Sequence, residues 1–222
     1  MLCLVLVLNM TQAAMGVPAD SPLRRVPTVV AASTPLPQAE FLAAPEVRTL
    51  VGYTRRLLRL HDGKRVALFS FASSAPANWI FLINTDDCTA ERFLIPNNDV
   101  GSHGGALGAD GNIYIMPYNG HGYRFDVTSR EFTDLGNPFA EREYTWDAIG
   151  ASNGRIYFGT YPNACFGEYD PVSNKFELWR QIAENTKYVT DFKEDAEGRI
   201  HCLASAPEQV RMIFDPATRE LK

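Results

Sequence analysis

Basic residues are the minority charge in this 222-residue chain: 21 Lys and Arg stand against 26 Asp and Glu, giving a formal net charge of −5 and a pI near 5.4. A field of that sign does not hold a polyphosphate backbone, so the sequence predicts no nucleic-acid partner. Cysteine is scarce. Cys3, Cys88, Cys165 and Cys202 form no C-x-x-C pair and no Cys/His cluster, which argues against a disulfide-dense scaffold and a structural zinc. They read as single residues, Cys165 and Cys202 as small core hydrophobes, with a disulfide between two of the last three left open. The apolar run from Leu2 to Leu8 is too short to cross a bilayer and no later run is long enough, so no integral membrane segment is expected. Also missing are a G-x-S-x-G elbow, a Walker loop, a G-x-G-x-x-G after a strand, an H-E-x-x-H and a calcium EF loop. Serine-hydrolase, NTP-driven, nicotinamide-dependent and zincin chemistries are thereby disfavoured.

What is present begins with 45% hydrophobic residues, enough to bury a core and too many for a disordered chain. The opening MLCLVLVLNMTQAAMG has the apolar run and small residues of an export signal but no Lys or Arg ahead of them. Residues 1–20 therefore read either as a signal peptide, implying a secreted or periplasmic protein, or as a mis-set start or disordered tail on a cytoplasmic one. Residues 21–48 are a Pro/Ala/Ser-rich arm.

From residue 49 the chain repeats. A polar turn followed by an apolar run occurs at His61-Asp62-Gly63-Lys64-Arg65-Val66, Ala109-Asp110-Gly111-Asn112-Ile113-Tyr114, Ser152-Asn153-Gly154-Arg155-Ile156-Tyr157 and Ala196-Glu197-Gly198-Arg199-Ile200-His201; the glycines are 48, 43 and 44 residues apart. A second signature keeps step: Phe125-Asp126-Val127-Thr128, Tyr169-Asp170-Pro171-Val172-Ser173 and Phe214-Asp215-Pro216-Ala217-Thr218, with Asn84 in the equivalent place of the first unit. In each, a strand delivers an Asp or Asn whose side chain caps turn amides. Four short strands per unit and no intervening amphipathic helix predict an all-β fold of β-propeller blades, each of four antiparallel strands. Four units are visible, about 49–97, 102–137, 144–181 and 187–222, in an open or partial propeller. A β-sandwich is the rival architecture, but it gives no reason for a fixed period. Four units must close as a small ring, pair with a second copy through open blade edges, or belong to a longer chain; the last is the leading expectation.

The Asp110-Gly111-Asn112-Ile113-Tyr114 element, with Tyr169-Asp170-Pro171 and Phe214-Asp215-Pro216, resembles the units of virginiamycin B lyase-like propellers and, more broadly, of NHL-type and gluconolactonase-like ones. The resemblance runs from Thr54 to Leu221. It implies six or seven blades in a complete propeller, and in the enzymes a divalent ion at the channel: magnesium with histidine and acidic residues in the lyases, calcium or zinc with acidic and amide side chains in the lactonases. No stretch here matches a catalytic motif of either.

Overlaying the repeats brings His103 beside Trp146 and Thr190, and makes Asp147 and Asp191 equivalent. His103, Asp147 and Asp191 are the candidate metal ligands, for Mg or Ca, or an acid/base set for a sugar acid or cyclic ester; the bland reading of the two aspartates is inter-blade hydrogen bonding. Trp146 is a candidate for stacking on a sugar. Tyr118, Asn119 and Tyr161 lie on loops suited to walling one end of the channel for a carbohydrate, peptide or protein ligand. His121 reads as a loop tip, and Arg55, Arg56 and Arg59 as a solvated edge or anion contact. The main reading is a binding module; the alternative is a metal-dependent lyase or lactonase-like enzyme.

Overall fold

A computed structural model describes residues 50–73, 79–98, 103–118, 120–140 and 143–222. The expected signal segment and arm lie outside the described residues, as does Asn119. Within Val47–Lys222 the chain forms four sheets, each of four antiparallel strands joined in sequence order. Blade one is β1 (Leu50–Arg59), β2 (Arg65–Ser73), β3 (Trp79–Asn84) and β4 (Ala90–Leu94), and blade two is β5 (Gly105–Leu107), β6 (Ile113–Ile115), β7 (Gly122–Phe125) and β8 (Phe132–Gly136). Blade three is β9 (Tyr144–Gly150), β10 (Ile156–Tyr161), β11 (Phe166–Asp170) and β12 (Lys175–Trp179); blade four is β13 (Tyr188–Glu194), β14 (Ile200–Ser205), β15 (Gln209–Asp215) and β16 (Glu220–Leu221). The first strands of successive blades are neighbours, β1 to β5, β5 to β9 and β9 to β13, in an open or partial all-β propeller.

Both repeated signatures have a physical cause. Gly63, Gly111, Gly154 and Gly198 all take the left-handed conformation (φ 84°, 79°, 84° and 79°) that a side chain would strain. Beside them Asp62, Asp110 and Asn153 accept the N–H two residues on at 3.0, 3.1 and 3.0 Å. In blade four Glu197 stands at that position and Asp195 does the work, accepting from Glu197 and Arg199 at 3.1 and 2.9 Å. In the second turns Asn84, Asp126, Asp170 and Asp215 accept the N–H two residues on at 2.9, 2.8, 2.9 and 2.8 Å, which bears out Asn84 as the first unit's equivalent. The β1–β2-type and β3–β4-type turns share one rim of a meandering blade; the β2–β3-type loops and blade crossovers share the other.

The apolar core lies between blades. Leu68, Ile80, Leu82 and Ile95 pack with Ile113, Ile115, Tyr123 and Phe125 between blades one and two. Ala106, Tyr114 and Met116 meet Ala148, Ile156, Phe158 and Tyr169 between two and three, and Tyr157 and Phe166 meet Val189, Phe192, Ile200, Met212 and Phe214 between three and four. Each large side chain so buried contributes roughly 1.5–3 kcal/mol of transfer free energy. The strand patterns follow from this. All of β6 and five of six residues in β10 are buried because neighbours cover both faces, whereas in β14 burial alternates, with Ile200, Cys202 and Ala204 packed into the cluster shared with blade three.

Glycine sets the closest approaches. A Cβ on Gly159 would lie 2.1 Å from the Val189 carbonyl oxygen, and one on Gly150 2.0 Å from that of Leu107, so neighbouring blades could not pack as they do with a side chain at either place. On the turn side, buried Glu168 of β11 accepts from Arg155 at 3.0 Å and from Arg219 of blade four at 3.3 Å, while Arg219 also reaches Glu177 at 2.7 Å. Cys88, Cys165 and Cys202 are free thiols, which corrects the disulfide left open by the sequence. Burial raises the Cys202 thiol to about 12, as suits a core residue. Among the described residues no helix is long and apolar enough to cross a membrane.

Candidate functional site

On the rim away from the glycine turns, rings from three blades meet. His103 precedes β5, and its imidazole stacks on the Trp146 indole of β9 with centroids 4.3 Å apart and planes 23° from parallel. Trp146 meets Tyr188, the first residue of β13, edge-on at 5.2 Å and Tyr161, the last of β10, at 5.6 Å. Tyr161 and Tyr188 stack at 4.4 Å and 20°. Tyr144 lies 6.3 Å from Tyr161 and nearly parallel to it, and Tyr118 closes the band against Tyr144 at 4.8 Å and His103 at 5.8 Å. All six rings are partly exposed. Burial, and secondly the adjoining Tyr161, raise the pKa of the Tyr188 phenol.

Strand register explains the convergence. Tyr144 and Tyr161 are cross-strand partners at the open end of β9 and β10. A bridge pairs Tyr118 with Tyr144, and Thr145 N–H donates to the Pro117 carbonyl at 3.0 Å, drawing blade two onto blade three. Immediately before Tyr144 is a buried carboxylate. Glu143, 2% exposed, accepts the Thr160 hydroxyl in a short hydrogen bond, the Asn163 side-chain amide at 2.5 Å and the Asn163 N–H at 3.3 Å. Thr160 Oγ1 in turn accepts Cys165 N–H at 3.1 Å, and Ala164 N–H donates to the Lys187 carbonyl at 3.1 Å, directly before Tyr188.

Of the residues singled out from sequence, His103, Trp146, Tyr118 and Tyr161 therefore share one band. Asp147 stands apart from it in role: its Oδ1 accepts Ala148 N–H at 2.9 Å and its Oδ2 accepts Phe192 N–H at 3.2 Å from blade four, an inter-blade clamp. Asp191 is exposed, with φ 58° at the register shift of β13. Among the described residues no group of three His, Cys, Asp or Glu side chains that could hold a metal ion is found. His121 pairs with Asp134 at 2.7 Å and is exposed. His201 bonds Asp195 at 2.8 Å, and the His61 ring lies against the Gly111 turn on the opposite rim. Trp179 packs on Phe166 and Phe214 between blades three and four.

Sequence reasoning missed Tyr144, Tyr188, Glu143 and Thr160. For the two tyrosines a signal existed: they are 44 residues apart, the same spacing as Gly154 and Gly198.

Fold and site together define a propeller-type array of four-stranded blades carrying an aromatic rim. No family model matches the chain, and no curated protein matches it. Among solved structures it is similar to virginiamycin B lyase from Staphylococcus aureus, at 12% identity and a TM-score of 0.55, covering 82% of this chain and 71% of that one. A catalytically inactive form of that lyase with quinupristin aligns at 12% identity and a TM-score of 0.51, covering 77% and 72%. A protein of unknown function from Bacteroides caccae aligns at 12% and 0.56, covering 78% and 66%. At this identity the likeness is one of fold.

Proposed function

We propose that the aromatic rim binds a ring-bearing ligand, a carbohydrate or a peptide with ring side chains. The observation that supports this is the junction of six partly exposed rings from three blades at one end of the array. Rings left at a surface offer apolar faces and, in tyrosine and tryptophan, a polar handle, which suits ligands that are themselves part apolar and part hydroxylated. Neutral oligosaccharides and quinupristin, the compound present with a structural neighbour, are the first probes. Titration should change Trp146 fluorescence, and Trp146→Ala should weaken binding about tenfold or more. Trp179→Phe, in the core between blades, should leave affinity unchanged. Equal affinity in Trp146→Ala and the parent would place the ligand elsewhere.

A second reading is a lyase or lactonase-like enzyme dependent on Mg or Ca, supported by the fold likeness to virginiamycin B lyase. In that case bound Mg or Ca should survive gentle purification or raise the melting temperature when added, and Asp191→Asn should abolish the effect. No response to either ion, with none bound, would remove this reading and leave the first.

A further inference from the structure

We infer that Glu143 is the positioning residue of the aromatic rim, holding Tyr144, Tyr161 and Tyr188 in register. The inference rests on the binding reading only for what the rings do; how they are held stands on geometry alone. Among the described residues Glu143 has no ion-pair partner, and its buried carboxylate is met by three donors, the Thr160 hydroxyl and the two N–H groups of Asn163. Taking such a polar group out of water is unfavourable until its hydrogen bonds offset it, a cost that apolar side chains of the same volume avoid. A carboxylate in this place contributes direction rather than stability.

What it directs can be followed bond by bond. Glu143 immediately precedes Tyr144, and Thr160 immediately precedes Tyr161, so the Glu143–Thr160 bond ties together the two backbone segments whose tyrosines face each other. Asn163 holds the loop after Tyr161, and the same loop passes the constraint to blade four through Ala164 N–H and the Lys187 carbonyl, one residue before Tyr188. Three tyrosines on three strands are thus referred to one carboxylate.

The repeat shows that a blade closes without a buried carboxylate at this place. Forty-four residues on, the counterparts of Glu143 and Thr160 are Lys187 and Ala204, and blade four ties the segment before β13 to its β14–β15 loop through an exposed pair instead, Asn185 Nδ2 donating to Glu208 at 3.1 Å and Glu208 N–H to the Asn185 carbonyl at 3.4 Å. A carboxylate buried under three donors at this place belongs to the blade that carries Tyr144 and Tyr161 at its rim.

The test compares the parent chain with Glu143→Gln and with the exchange Glu143→Gln/Asn163→Asp, which returns a carboxylate–amide contact with the partners reversed. Near-ultraviolet circular dichroism reads the packing of the tyrosines without any ligand. Glu143→Gln should lose most of that tyrosine signal while its melting temperature falls by only about 2–4 °C, and the exchange should restore the signal. Affinity for a neutral oligosaccharide or quinupristin, whichever binds the parent, should fall about tenfold and recover with it. An unchanged tyrosine signal in Glu143→Gln, or a loss that the exchange does not restore, overturns the inference. Should Glu143→Gln fail to fold, Asn163→Ala breaks the same link at a partly exposed position and must show the same loss. A lost and restored ring signal in a chain that binds neither probe supports the inference and counts against the binding reading instead.

Discussion

The two rims of this array are built on opposite principles. The turn rim repeats: a left-handed glycine with a capping side chain, and an Asp or Asn bonded to the N–H two residues on, occur in every blade. The aromatic rim does not: the starting tyrosine occurs in blades three and four, the histidine–tryptophan stack joins two and three, and the Glu143 cluster belongs to blade three. A feature reproduced four times under the same backbone is required by the backbone. One that varies over an unchanging backbone is not, so the difference between the rims separates what the fold requires from what it only permits.

That separation is open to attack, most forcefully through the interface on which both rims depend. Phe214→Ala, which empties a fully buried position between blades three and four, should cost about 3–5 kcal/mol in chemical denaturation and disturb both rims. A Cβ at Gly159 meets backbone, and Gly159→Ala should cost about 1–3 kcal/mol and disturb the tyrosine circular-dichroism signal by spreading β10 from β13. Gly154→Ala, at φ 84° with nothing near it, should cost about 1–2 kcal/mol through backbone strain alone and leave the tyrosine signal intact. If Gly154→Ala altered the aromatic rim as much as Gly159→Ala does, the rims would not be separable.

Acid and alkali give the smallest and most selective contrast. The N–H groups of Ser129 and Thr128 hold Asp126 below the ordinary carboxylate range, and Lys64 does the same for Asp62. A folded pKa below the unfolded one gives stability that is complete above about pH 4 and is lost as pH falls through the lowered value. The melting temperature should therefore drop in acid, and Asp126→Asn should drop less. At the aromatic rim the sign reverses: the raised Tyr188 phenol contributes stability below the unfolded tyrosine value, lost as pH rises through the folded one. Phenolate absorbance in Tyr188→Phe should lose a late-titrating step.

How far these features could be read from sequence follows the same division. The glycine period, the capping aspartates and Asn84 as a disguised fourth member were all legible, because each is a local contract between a side chain and an amide two residues away. His103 beside Trp146 came from the overlay of repeats. From sequence alone Asp147 reads as either ligand or clamp, because its partner, Phe192 N–H, lies 45 residues away on another sheet. Glu143 was invisible: nothing about an acidic residue before a strand says that a loop 20 residues later will fold over it.

The placement of the cores between blades also governs how such an array comes apart. Each blade shares its apolar interior with a neighbour, so the array opens interface by interface rather than blade by blade. Parting blade four from blade three takes Tyr188 away from Trp146 and dismantles the aromatic rim while blades one to three remain packed. A ligand that bridges Trp146 and Tyr188 would hold that interface shut, so occupancy would register as slowed amide exchange along β13 to β16, far beyond the atoms it touches.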